Sequence, residues 1–245
     1  MRKLKLYNFE KTSNIDLNIN KHLVSDISGL GTTYEFKKLE KSIYDIDLSF
    51  ENISFEVIFG INSNAYNDYK SFLDFVIANG KKHFILSYDY GSGERFTNVY
   101  LKNAPKSQKT NFNVISENIV FERLTPWYLE KQLSIPGSLV IANNHFMEIP
   151  LYIRINAKGT SPEEITITVT NVATVKITSK TNYDVIIDSN NQEVYFQNLS
   201  GNKLNAYDAV NHNFDTFIWI PKGNHSINIT GTQSGFIKYM EWIAD

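Results

Sequence analysis

No cysteine occurs anywhere in the 245 residues, which excludes a disulfide framework, a thiolate nucleophile and a zinc–thiolate site, and suits synthesis in a reducing compartment. Extracellular use after assembly stays open. An excess of positive charge is also missing. With a formal net charge of −2, the chain lacks the Lys and Arg surplus that neutralises phosphates, so nucleic-acid binding is not expected. No apolar run approaches the length that crosses a bilayer. The N-terminal Met1-Arg2-Lys3-Leu4-Lys5-Leu6 is basic but is not followed by the apolar stretch of a secretory signal, so no membrane partner or secretion by that route is expected.

Familiar catalytic patterns are absent too. There is no Gly-x-Ser-x-Gly elbow, phosphate-cradling loop or dinucleotide fingerprint. His22, His83, His145, His212 and His225 are scattered, without companions at ligand spacing. Asp184 and Asp188 would share one strand face, but about 13 Å apart by strand rise, beyond the separations glycosidases use. They read instead as flanking a strand, with Asp188 opening a turn. Asp45 and Asp47 read as the wet face of a hairpin. No catalytic, cofactor or metal residue is assigned, and the chain is not expected to be an enzyme; a hydrolase with an accessory sandwich is disfavoured for the same reason.

What is present is period-two apolar alternation, broken once in mid-chain. At Leu124-Thr125-Pro126-Trp127-Tyr128 a proline interrupts regular structure and two large aromatics follow. A plain linker is small and polar, so Pro126, Trp127 and Tyr128 are expected to form a packed joint between two domains, 1–128 and 129–245.

In the first half, Leu4, Leu6 and Phe9 open a strand, and Ile27-Ser28-Gly29-Leu30-Gly31 supplies a bend. Tyr44, Ile46, Leu48 and Phe50 alternate in one run and Ile53, Phe55, Val57 and Phe59 in the next, which predicts a hairpin turning at Glu51-Asn52 with Phe50 opposite Ile53. Asn64 is positioned to cap a helix through Tyr66, Tyr69, Phe72, Leu73 and Val76, ending in a left-handed cap at Asn79-Gly80. Strands follow over 84–90 and 96–101 around Gly91-Ser92-Gly93, then a basic loop over 102–109 and a last pair at 113–115 and 118–121. This half is a β domain carrying one helix.

The second half is nearly pure β. Leu151, Ile153 and Ile155 form one apolar row and Ile165, Ile167 and Val169 another, with Thr166, Thr168 and Thr170 on the wetter face. Val185 and Ile187 lead to a turn at Asp188-Ser189-Asn190-Asn191, then Val194-Tyr195-Phe196. Phe217-Ile218-Trp219-Ile220 precedes Pro221-Lys222-Gly223-Asn224, and strands follow through Ile227 and Ile229 and over 236–243. Short strands at this spacing predict a sandwich. Trp219 is expected in its core, since it lies in an apolar run; the alternative is that Trp127, Trp219 and Trp242 stack on sugars.

Taken in order, Ile27-Ser28-Gly29-Leu30, the helix over 66–75, the aromatic strand over 84–90, Leu124-Thr125-Pro126-Trp127-Tyr128, Val185-Ile186-Ile187-Asp188-Ser189 and Phe217-Ile218-Trp219-Ile220-Pro221-Lys222-Gly223-Asn224 resemble the distal tail protein family of long-tailed bacteriophages. The resemblance spans essentially the whole chain. It implies a tail-tube-like first domain that closes a six-membered ring of identical subunits, with a hairpin or arm embracing the neighbour, and a galectin-like β-sandwich outside it. It implies a structural hub in the virion, at the tail tip, made in the bacterial cytoplasm, whose partners are further copies of itself, the tail-tube protein, the tail-associated tip protein and a receptor-binding protein. Tyr44, Phe50, Glu51, Asn52, Ile53 and Phe59, on the predicted hairpin, are the candidate for one patch of the ring interface, because a two-stranded element needs its apolar face covered; the alternative is that its own domain core covers it. A carbohydrate-binding module for a bacterial surface glycan is the alternative reading.

Overall fold

The computed structural model describes residues 3–18, 22–25, 27–40, 43–89, 91, 93–104, 110–111, 114–136, 139–156, 161–231 and 234–243, with the backbone alone for 32–48 and 110–111. The chain divides into two compact units, 1–128 and 129–243.

In the first unit β1 (Lys3–Tyr7), β2 (Asn14–Asp16), β3 (His22–Val24), β4 (Thr32–Glu40), β5 (Ile43–Phe50) and β6 (Ile53–Phe59) precede helix α1 (Ala65–Asn79). Then come β7 (Phe84–Asp89), β8 (Glu94–Asn103), β9 (Thr110–Asn111) and β10 (Val114–Arg123). One antiparallel sheet runs β2-β1-β7-β8-β10-β6-β3, with β9 beside β10. Alternation decides its inner face. Leu4 and Leu6 of β1, Ile53, Phe55, Val57 and Phe59 of β6, and Ile115, Ile119 and Phe121 of β10 are all buried. Helix α1 lays Ala65, Tyr69 and Phe72 into the same core, with Phe72 tilted on Phe59 at 5.8 Å. Its start is fixed as the sequence predicts, the Asn64 side chain accepting from the Asn67 amide at 3.0 Å. Its end differs: Gly80 sits at φ −73°, so no left-handed cap forms. The β7–β8 hairpin turns at Gly91 and Gly93, both at positive φ, as expected.

The hairpin predicted across Glu51-Asn52 does not form. β5 pairs with β4 in a two-stranded sheet of its own, Thr32 opposite Phe50 and Phe36 opposite Ile46, while β6 lies between β10 and β3. A two-residue hairpin turn demands positive φ, and neither Glu51 nor Asn52 has it. The strand partner of β5 comes earlier, in the alternation of Tyr34 and Phe36. The predicted pair at 113–115 and 118–121 is one continuous strand, β10, whose residues 115–121 all pair with β6. Most of the basic loop over 102–109 lies outside the described residues.

The second unit contains β11 (Tyr128–Ile135), β12 (Leu139–Asn143), β13 (Ile149–Ile155), β14 (Glu164–Val169), β15 (Ala173–Thr178), β16 (Asp184–Asp188), β17 (Glu193–Gln197), β18 (Lys203–Asn205), β19 (Trp219–Ile220), β20 (Gly223–Thr230) and β21 (Gly235–Trp242), with a 3₁₀ turn at Tyr207–Ala209. Two antiparallel sheets, β18-β17-β16-β13-β21-β11 and β12-β20-β14-β15, share one core, into which Leu151, Ile153, Ile155, Ile165, Ile167, Val169, Val185 and Ile187 project. This is the predicted two-sheet sandwich. β16 is closed on both faces, with Val185, Ile186 and Ile187 each at most 1 % exposed. Trp219 departs from expectation. It is half-buried, because period-two alternation sends Ile218 and Ile220, both 0 % exposed, into the core and turns the indole away.

Candidate functional site

Asp184, Asp188, His22, His83 and His145, raised by the sequence as candidates, are packed or hydrogen-bonded within the fold, whereas the side chains of Asp45 and Asp47 lie outside those described. Asp184, nearly buried, accepts from Arg154 Nε at 2.7 Å, a diagonal pair across β16 and β13. Asp188 accepts from the Asn191 amide at 3.1 Å and from its Nδ2 at 2.8 Å, which closes the predicted turn. His22 packs edge-on to Phe59 with Nδ1 3.1 Å from the Asp16 carbonyl. His83 is wedged between Phe9 and Tyr100, and burial, with Lys82 beside it, holds its ring below the usual histidine range. Burial lowers His145 likewise, helped by Lys222. Among the described residues no three His, Asp or Glu groups could hold a metal ion, and no helix is long and apolar enough to cross a membrane.

The Pro126-Trp127-Tyr128 stretch is packed, and belongs to the first unit: Trp127 is 3 % and Tyr128 0 % exposed. The Trp127 indole N–H donates to the Leu30 carbonyl at 2.8 Å. Tyr128 Oη reaches Asn98 Oδ1 at 3.3 Å and its ring lies 5.9 Å from Phe96. Thr125 completes the anchor, accepting from the Asn98 amide at 3.0 Å and, through its carbonyl, from Thr97 Oγ1 at 2.7 Å. Sequence reasoning missed Arg123. Although 4 % exposed, it donates to the carbonyls of Thr125 (2.9 Å), Gly31 (2.8 Å) and Leu30 (3.1 Å), and its guanidinium lies over the rings of Phe50 and Trp127. The only cue was an Arg closing an apolar strand just before the proline.

The six residues predicted as a ring interface are not brought together as one patch. Ile53 and Phe59 are 0 % exposed inside their own unit, because β6 is a central strand and not half of a free hairpin. Phe50 is half-buried beneath Arg123. Glu51 and Asn52 are exposed, and the Asn52 carbonyl lies so close under Gly29 that a Cβ there would stand 2.0 Å from it. Gly29 itself takes φ +77°. Tyr44 belongs to β5, opposite Lys38. The β4–β5 ladder is therefore the remaining candidate element: among the described residues neither strand has a third partner, which leaves each with one edge open to strand pairing.

A second surface lies on the second unit. On the outer face of its larger sheet Ile186, which is 0 % exposed, lies between Tyr195 and Arg154, and beyond Arg154 Phe236 stacks on Tyr152 at 6.2 Å. The Tyr152 and Tyr195 hydroxyls are hydrogen-bonded, and burial pushes the Tyr152 phenol well above its ordinary range, so the pair stays protonated. The face mixes these rings and their neutral hydroxyls with the Arg154–Asp184 ion pair beside Ile186.

Residues 3–124 match the family described as distal tail protein, N-terminal domain. No curated protein matches the chain. Among solved structures, a chain of the phage p2 baseplate in its activated conformation with Sr is similar over 100 % of this chain and 99 % of its own, at TM-score 0.77 and 14 % identity. The SPP1 Dit (gp 19.1) protein, described as a paradigm of the hub adsorption apparatus in phages that infect Gram-positive bacteria, is similar over 98 % and 99 %, at TM-score 0.56 and 15 % identity. At such identities the likeness is one of fold.

Proposed function

This chain belongs to the distal tail protein family, and from that premise we propose that it is a structural component of a bacteriophage or prophage tail tip, the hub that joins the end of the tail tube to the adsorption machinery. The family match over residues 3–124 carries the reading. In this reading the first unit is tail-tube-like and closes a ring of six identical copies. Closure by rotation requires heterologous contacts, one patch of a subunit against a different patch of the next. The β4–β5 ladder supports this as the arm laid over the neighbour, since its open edges and absence of a third strand suit it to pairing outside its own unit.

The second unit, a galectin-like sandwich in this proposal, sits outside the ring and offers the Tyr152, Tyr195 and Phe236 face to neighbouring tail proteins. A fold of this kind does not bring a galectin's sugar site with it. The partners are the tail-tube protein, the tail-associated tip protein and a receptor-binding protein. A ring through which DNA passes must not hold phosphates, and a net charge of −2 fits that need. The protein performs no turnover; its work is assembly.

The test is oligomeric mass by light scattering, with negative-stain images of the full chain. Sixfold rings are expected. A strict monomer at high concentration sinks the proposal.

A further inference from the structure

A loop the sequence passes over builds a groove in the second unit. The segment 205–216 contains three Asn, two Asp, a His, a Tyr and a Phe. It runs along β15, the edge strand of the smaller sheet, and is fixed there by the Asn211 amide on the Lys176 carbonyl at 2.9 Å, the Asp215 amide on the Thr174 carbonyl at 2.9 Å, and the Thr174 amide on Asp215 Oδ2 at 2.9 Å. Between this loop and the β14–β15 turn opens a groove of about 590 Å³, lined among others by Thr168, Asn171, Thr174, His212, Asn213 and Phe214. The groove is shallow and open to solvent along most of its extent.

The lining has a distinct chemistry. Phe214 and, beside the groove, Tyr207 are large aromatics left 40 % and 49 % exposed, and Tyr207 is backed by His212 at 4.6 Å. The Asn171, Asn213 and His212 side chains make no hydrogen bond among the described residues, whereas Asn205 and Asn211 use their Oδ1 atoms on the backbone of the loop and hold its shape. The groove thus combines a rigid frame, exposed ring faces, and amides that both donate and accept. Charge narrows the ligand. Among the described lining residues there is no Arg or Lys; Lys176 holds its ammonium over the Phe214 ring at 4.5 Å, while Asp215 contributes a carboxylate. A polyanion would meet a single ammonium, with the Asp215 carboxylate beside it.

We propose that this groove binds a neutral glycan, the C–H face of a pyranose ring resting on the part of Phe214 that Lys176 leaves exposed and its vicinal hydroxyls meeting Asn171 and Asn213. The proposal concerns the second unit's own surface and does not depend on ring assembly.

Saturation-transfer NMR on the full chain, with methyl glycosides of neutral hexoses and N-acetylhexosamines, tests it. Transfer to the pyranose C–H protons is expected, with half-saturation near about 1 mM, a weak single-sugar affinity. Phe214→Ala and Asn213→Ala, both exposed positions, should each weaken binding by about tenfold or more with the melting curve unchanged. Absence of transfer to every neutral sugar overturns the proposal. So does transfer that survives both substitutions, or binding confined to a glycerol-phosphate polymer.

Discussion

Trp127 and Leu30, 97 residues apart, are joined by a hydrogen bond from the indole N–H to the backbone carbonyl at 2.8 Å. The bond links the proline-aromatic stretch to the glycine bend, the two features that punctuate the first half of the sequence, and Arg123 bonds the same carbonyl. Trp127→Ala should therefore cost the first unit about 3–5 kcal/mol by loss of buried area. Trp127→Phe keeps most of that area, and Leu30 keeps Arg123 as donor, so about 1 kcal/mol is expected. Chemical denaturation of the two variants distinguishes them; equal losses would assign the whole effect to the hydrogen bond.

In the second unit the order of two neighbours is predicted. Ile218→Ala should destabilise by about 3 kcal/mol, since its side chain is fully enclosed. Trp219→Ala should cost only about 1–2 kcal/mol despite the larger side chain, because the indole is half-buried on the other side of its strand. Thermal melts of both variants check the order, and a reversal would return the indole to the core.

His83 gives the first unit a pH dependence. Its folded pKa lies below the ordinary value of 6.5 because burial disfavours the charged ring. The unfolded chain therefore binds more protons in the window between the lowered pKa and 6.5, so stability falls as pH drops through that window. His83→Gln should flatten this part of the profile of stability against pH. An unchanged slope would remove His83 as its source.

The two-stranded ladder gives the assembly test its sharpest form. Thr32 and Phe50 are paired, so their Cα atoms stand about 5 Å apart and a two-residue Gly-Ser link can replace residues 33–49. The first unit should still melt cooperatively, since the backbone bonds of β4 and β5 go to each other. If the ladder is the arm between copies, the shortened chain stays monomeric while the full chain forms rings. Rings from the shortened chain would assign closure to another surface.

Local signals proved the most legible. Asn64 announces α1 by its capping chemistry, and Gly91 and Gly93 announce the β7–β8 hairpin by their backbone freedom. Pairing was legible only where a turn signal set it. The alternation of β5 and β6 is equally strong on both sides of Glu51-Asn52, yet a period of two says which face a strand buries, not which strand it meets. Ile53 and Phe59 lie in the core of their own unit for that reason. Arg123 and the 205–216 loop escaped because their meaning lies in long-range contacts: the first needs Leu30 and Gly31, the second needs the edge of β15.

Strand β16 reaches solvent through neither face, for Val185, Ile186 and Ile187 are all covered, and it has a strand on each side. Its amides can swap protons for deuterons only when the sandwich opens as a whole. The slowest deuterium uptake at these three positions thus becomes a direct gauge of the unit's global opening energy, readable inside an intact particle where no denaturant titration can be run.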